Sequence, residues 1–109
     1  MREIKFRAYS HRAKKMYQWE DLTNEEIGDM LRNPQEEIMQ YTGLKDKNGK
    51  EIYEGDILDI GNNAVVEFFD GKFHPVYDGG KSEAMEDEFK SYKCEIIGNI
   101  YENKDLLTK

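Results

Sequence analysis

The chain has 109 residues, enough for one domain with a modest core and no need of disulfides or metals. Hydrophobic residues make up 38% and charged residues 36%, with a formal net charge of −7. That charge argues against a chain whose main task is to hold a nucleic-acid backbone, and the single cysteine, Cys94, excludes an intramolecular disulfide and a cysteine metal cluster.

Glu3 to Tyr9 alternates, with Ile4, Phe6 and Ala8 on one face and Glu3, Lys5 and Arg7 on the other, the pattern of a half-buried strand. Ser10 to Lys15 is a polar connection, and Met16, Tyr17 and Trp19 form the answering strand of an antiparallel hairpin with a basic loop. A helix is expected from Thr23 to Asn33. Thr23 is a good N-cap with Glu26 at the capping-box spacing, Leu22 and Ile27 are placed as a staple, and Ile27, Met30 and Leu31 share a face. Gly28 weakens this helix by about 1 kcal/mol relative to Ala. Asn33-Pro34 ends it, because the residue before proline avoids the helical region. Gln35 to Glu37 reads as a linker and Ile38 to Tyr41 as a strand.

The segment from Met39 to Leu58 is the densest in turn chemistry. Gly43 is expected to break the strand. Asn48-Gly49 signals a type I′ hairpin, since both residues tolerate positive φ. Glu54-Gly55-Asp56 is a second turn feeding Ile57 to Ile60, an arrangement common in SH3-like barrels. Gly61 to Asn63 reads as a turn, Ala64 to Phe69 as a strand, and Asp70-Gly71 as a hairpin turn into Lys72 to Tyr77. Pro75 marks that last run as an edge strand. Asp78 to Ser82 reads as loop, and Glu83 to Lys90 as an acidic turn of helix or a solvated approach to a strand. Tyr92 to Ile97 is a strand with Cys94 and Ile96 on one face, and Asn103 to Leu107 closes with a helical turn.

Gln40-Tyr41-Thr42-Gly43-Leu44-Lys45-Asp46, Asn48 to Ile57 and Gly98-Asn99-Ile100-Tyr101-Glu102-Asn103 closely resemble the YopX family of bacteriophage and prophage proteins. Arg2 to Ala8 with Lys15-Met16 match as well, so the likeness spans both ends and the middle. It implies an SH3-like β-barrel core, a phage or prophage origin and no established biochemical activity, with no catalytic or binding residue to carry over. The expected fold is one mainly β domain over residues 1–109: an N-terminal hairpin and helix (1–37, with the helical insertion near 23–33) and a small SH3-like barrel (38–109).

No catalytic, cofactor or metal site is expected. His11 and His74 have no spaced partner ligands, and Asp46, Glu51, Glu54 and Asp56 read as turn carboxylates. No GxSxG, GxGxxG or P-loop is present, and Gly79-Gly80-Lys81-Ser82 lacks the preceding glycine of a phosphate loop. Cys94 reads as a buried structural thiol. The leading expectation is a non-enzymatic protein–protein interaction module whose partner is a host or phage protein or a second copy, giving a homo-oligomer. A second reading places nucleic acid on Arg7, Arg12, Lys14, Lys15, Tyr17 and Trp19, cations interleaved with aromatics. A third makes the acidic blocks Glu20-Asp21, Glu25-Glu26, Asp29, Glu36-Glu37 and Glu83, Glu86, Asp87, Glu88 a decoy for a host DNA-binding protein. With no secretory signal and no membrane-length apolar run, the expected compartment is the cytoplasm of the bacterial host.

Overall fold

A computed structural model describes residues 4–33, 36–59, 63–69, 71–77 and 93–106. The fold is mainly β, with two four-stranded antiparallel sheets and one short α-helix among the described residues. It divides into two units, Met1–Tyr41 and Thr42–Lys109, with the boundary inside one strand.

In the first unit, β1 (Phe6–Ser10) pairs with β2 (Lys15–Tyr17) in the register Ala8↔Tyr17 and Ser10↔Lys15. The hairpin is therefore as expected, but its second strand stops at Tyr17. Trp19–Asp21 forms a 3₁₀ turn, and the Trp19 ring lies 6.3 Å from that of Phe6. On its other side β1 pairs with β3 (Glu36–Lys45), Phe6 opposite Gln40 and Ser10 opposite Glu36. Ala8 and Tyr9 are buried, and so is Arg7 at 7% exposure, so the expected polar face of β1 is covered too.

The helix, α1 (Asn24–Arg32), forms where its cap predicts. Thr23 Oγ1 accepts from Glu26 N–H (3.2 Å), and Glu26 Oε1 accepts from Thr23 N–H (3.3 Å), which satisfies two of the otherwise unbonded donors of the first turn. Asn33 has left the helical region, with ψ 114. The buried stripe is narrower than its sequence suggests. Ile27 and Met30 are partly covered, whereas Leu31 is 67% exposed.

β3 is longer than expected at both ends. Residues Glu36 and Glu37, read as linker, already pair with β1. At the far end the strand does not stop at Gly43. That residue takes φ 89 within the strand, and Thr42 Oγ1 accepts from Leu44 N–H (3.1 Å) while donating to Ile52 C=O (2.8 Å). The glycine is a local kink that lets the pairing resume. The order of this sheet is β2-β1-β3-β4, with β4 at Glu51–Tyr53.

The second sheet has the order β7-β6-β5-β8, from β5 (Asp56–Asp59), β6 (Asn63–Phe69), β7 (Lys72–Tyr77) and β8 (Glu95–Asn99). β5 pairs with β6 at Ile57↔Val65, and with β8 across an irregularity between Ile57 and Leu58. Ile52, Leu58, Val66 and Phe73 make the core, with Leu44 and Ile96 packed on it. Cys94 is buried just before β8, not within it. A 3₁₀ turn forms at Lys104–Leu106, within the segment where a helical turn is expected. The readings of Asp78 to Ser82, Glu83 to Lys90 and the turn residues 61, 62 and 70 fall outside the described residues.

Candidate interaction surface

The basic hairpin separates its six candidate residues. Arg12 and Lys14 are exposed on the β1–β2 turn and Lys15 at the start of β2, and Lys14 sits at φ 55, in the left-handed region. Arg7 lies buried in β1. Tyr17 is partly covered and carries the Lys15 ammonium 5.1 Å above its ring, and Trp19 leans on Phe6. The hairpin thus presents three cations, while both aromatics have intramolecular contacts. Next to it, His11 Nε2 and Glu37 Oε2 are 3.3 Å apart at the surface. His74 lies in β7, opposite Glu67.

The acidic residues of α1 border a cleft of about 200 Å³ lined by Glu26, Asp29, Met30, Asn33 and Glu36. Two of its three carboxylates are already in use, since Glu26 closes the capping box and Asp29 pairs with Arg32 at 3.0 Å, whereas Glu36 Oε2 is buried with no hydrogen-bond partner among the described residues. Glu83, Glu86, Asp87 and Glu88 lie outside the described residues.

The turn carboxylates divide by depth. Asp46 is 4% exposed. Its Oδ1 accepts from Asn48 N–H (2.9 Å) and Lys50 N–H (2.9 Å), and its Oδ2 from Ile96 N–H (3.0 Å). Burial pushes this carboxyl up, but the N–H groups of Ile96, Lys50 and Asn48 and the Lys50 charge outweigh it and hold the group below its ordinary value. These bonds define a turn different from the expected type I′. Gly49 N–H donates back to Asp46 C=O (3.0 Å), and only Gly49 takes positive φ while Asn48 does not. This is a three-residue hairpin loop, a turn followed by a left-handed glycine. The Asp46 side chain favours the difference, because it captures Lys50 N–H, which a two-residue loop would place in the ladder, together with the turn amide of Asn48. Asp56, also buried, accepts from Tyr53 N–H through Oδ2 (2.8 Å). Glu51 and Glu54 are partly exposed, and among the described residues no three His, Cys, Asp or Glu side chains converge as metal ligands. Burial, with the charges of Asp46 and Asp59, pushes the Cys94 thiol up, so thiolate chemistry is disfavoured there.

The remaining feature is the β6–β7 hairpin, which forms one side of the second sheet. Its register runs without interruption from Ala64↔Tyr77 to Phe69↔Lys72. The pair flanking a two-residue loop is hydrogen-bonded, and pairs then alternate, so Val66↔Pro75 is a non-hydrogen-bonded pair. Val66 C=O accordingly accepts from Gly55 N–H (2.8 Å), away from β7. The Pro75 nitrogen therefore points outward, where a proline costs the sheet nothing, and β7 is the edge strand that Pro75 announces. Near the tip, Phe68 is 46% exposed and meets Phe73 edge to face at 4.8 Å. A supported, half-exposed aromatic on a sheet edge is chemically suited to contact with another protein surface. Phe68 was not singled out in the sequence, where it reads as one more strand residue. The signal available was its position two residues from the Asp70-Gly71 turn, at the tip of the hairpin.

Two small antiparallel sheets with carboxylate-held turns place the chain among mainly β proteins. It belongs to the YopX family, whose model, described as YopX protein, matches residues 5–108. Among solved structures it is similar to protein EF1440 from Enterococcus faecalis, with 27% identity over 98% of this chain and 99% of that one and a TM-score of 0.67. It is similar in fold to protein yopX from Bacillus subtilis, with 21% identity over 94% and 97% of the two chains and a TM-score of 0.61. No curated protein matches it. Among the described residues no helix is long and apolar enough to cross a membrane.

Proposed function

We propose that this chain is a non-enzymatic binding module that engages a protein through the tip of its β6–β7 hairpin, a second copy of the chain being the first partner to test. In this reading the second unit is an SH3-like barrel, and the module works inside the bacterial host of a phage or prophage. The observation that carries the proposal is Phe68, half-exposed on an edge hairpin and backed by the buried Phe73 ring. Aromatic anchors held rigid by their own core supply most of the energy of protein interfaces, and their truncation costs about 2 kcal/mol or more.

The test is the solution mass of the wild type and of Phe68→Ser across a concentration series, with capture of host proteins by each in the presence of nuclease. A mass above 12.9 kDa, or a captured protein, that is lost with Phe68→Ser supports the proposal. A partner or an oligomer retained unchanged by Phe68→Ser refutes the assigned surface, and a monomer that captures nothing refutes the module.

A second reading is favoured by the three exposed cations on one hairpin, Arg12, Lys14 and Lys15. Binding of nucleic acid there would weaken steeply with added salt and disappear with the three alanine substitutions. Retention of nucleic acid by the triple variant removes it. The decoy reading rests on the acidic blocks and is tested by neutralising Glu83, Glu86, Asp87 and Glu88, which must abolish capture of a DNA-binding protein.

A further inference from the structure

β8 ends its sheet, yet its outer side is filled from within the chain. At its start, Lys47 N–H donates to Cys94 C=O (2.9 Å), and Ile96 N–H donates to Asp46 Oδ2 (3.0 Å). At its end, Asn99 N–H donates to Asn103 Oδ1 (3.1 Å), and Asn103 N–H donates to Asn99 C=O (2.9 Å). Glu95 is held as well, by Lys47 Nζ at 3.6 Å and Asn48 Nδ2 at 3.5 Å. The Asn103 side chain lies so close that a Cβ on Gly98 would come within 2.6 Å of its Oδ1. Side-chain oxygens and turn amides thus occupy the bonding positions that a neighbouring strand would use. The opposite edge is blocked differently, by the outward nitrogen of Pro75, which has no proton to give.

We infer that Asp46 and Asn103 are edge caps that hold β8 back from strand addition, and that a chain deprived of them pairs β8 with β8 of a second copy, antiparallel with Ile96 opposite Asn99. The occupant follows from the strand itself. In that register the outward amides of Ile96 and Asn99 face each other across the pair, Ile97 meets Gly98 of the second copy and Glu95 falls opposite Ile100, so no like charges are opposed. It also follows that the intact chain meets partners through side chains and not by lending an edge.

The experiment uses the full chain with Asp46→Asn, Asn103→Ala and both together. Asp46→Asn keeps one oxygen for the turn amides of Asn48 and Lys50 and turns an NH₂ toward Ile96 N–H, so it removes the cap in preference to the turn. Solution mass and amide exchange at Ile96 and Asn99 are read against the wild type at each concentration. The expected result is a folded double variant whose mass doubles relative to wild type as concentration rises. Its Ile96 and Asn99 amides exchange faster than wild type when dilute and regain protection when concentrated. Folded variants that keep the wild-type mass at every concentration overturn the inference, as does association that leaves those amides fast. If Asp46→Asn fails to fold, Asn103→Ala alone decides by the same readouts at Asn99. Phe68→Ser does not touch β8, so this inference and the hairpin proposal fail separately.

Discussion

Replacing Asp46 by Ala tests the central structural claim, that one carboxylate holds the β3–β4 turn and ties it to β8. The side chain accepts three N–H groups, from Asn48, Lys50 and Ile96. Hydrogen bonds to a charged group contribute about 1.5–3 kcal/mol, and an ordinary bond about 1. Asn48 and Lys50 are exposed, so water replaces their partner and roughly 1 kcal/mol each is the fair figure. Ile96 is partly buried against the core and takes the larger value. The expected loss is therefore about 3–5 kcal/mol, a large part of the roughly 5–15 kcal/mol that holds a domain together. The assay is urea unfolding of wild type, Asp46→Ala and Asp46→Asn, repeated over a pH series. Because the folded carboxyl titrates below its ordinary value, its contribution is complete above the unfolded value of about 3.9 and fades as pH falls through the folded one. The gap between wild type and Asp46→Asn must then narrow on acidification below about pH 4. A loss under about 1 kcal/mol for Asp46→Ala, or a gap indifferent to acid, would refute the assignment.

Thr23→Ala removes the oxygen that accepts Glu26 N–H, and a loss of about 1 kcal/mol in chemical denaturation is expected, recovered in part by Thr23→Ser. Gly98→Ala forces a methyl against Asn103 and should destabilise the chain, whereas in an Asn103→Gly background the same substitution should cost less, which a double-mutant cycle reads as a coupling. Phe73→Ala empties the centre of the second unit's core and should cost about 3–5 kcal/mol by thermal or urea unfolding, more than any surface substitution on the β1–β2 turn.

Much of the fold could be read from local chemistry. The capping box at Thr23 and Glu26, the turn at Glu54-Gly55-Asp56 and the edge proline at Pro75 each rest on a short pattern with one physical solution, and each forms. The errors came where a distant contact outbid the local preference. Asn48-Gly49 favours a type I′ turn by itself, but Asp46 reaches Ile96 and the turn amides at once and imposes a longer loop. Gly43 reads as a stop, yet the Thr42 hydroxyl bridges to Ile52 and the strand continues. Arg7 alternates onto a polar face, but packing over that face buries it. The interaction surface was legible only as a class of feature, an edge hairpin. Which side chain it exposes depends on how far the core extends beneath the hairpin, and that is a property of packing. The cap at Asn103 was visible as part of a family motif without a reason for being there. The reason is a hydrogen bond back to Asn99 across a strand end.

The bond between Asp46 and Ile96 spans fifty positions of sequence. Contacts of that range are closed against a large loop entropy and arrive late in folding. During synthesis, β5 gains β6 as soon as the next hairpin emerges, but its other neighbour, β8, is made only after residues 60 to 94. For that interval one flank of β5, carrying the apolar Ile57 and Leu58, has no strand beside it on the ribosome. The nascent chain is then at its most prone to wrong pairing, and the arrival of β8, met by the earlier Asp46 and followed by Asn103, closes that interval late.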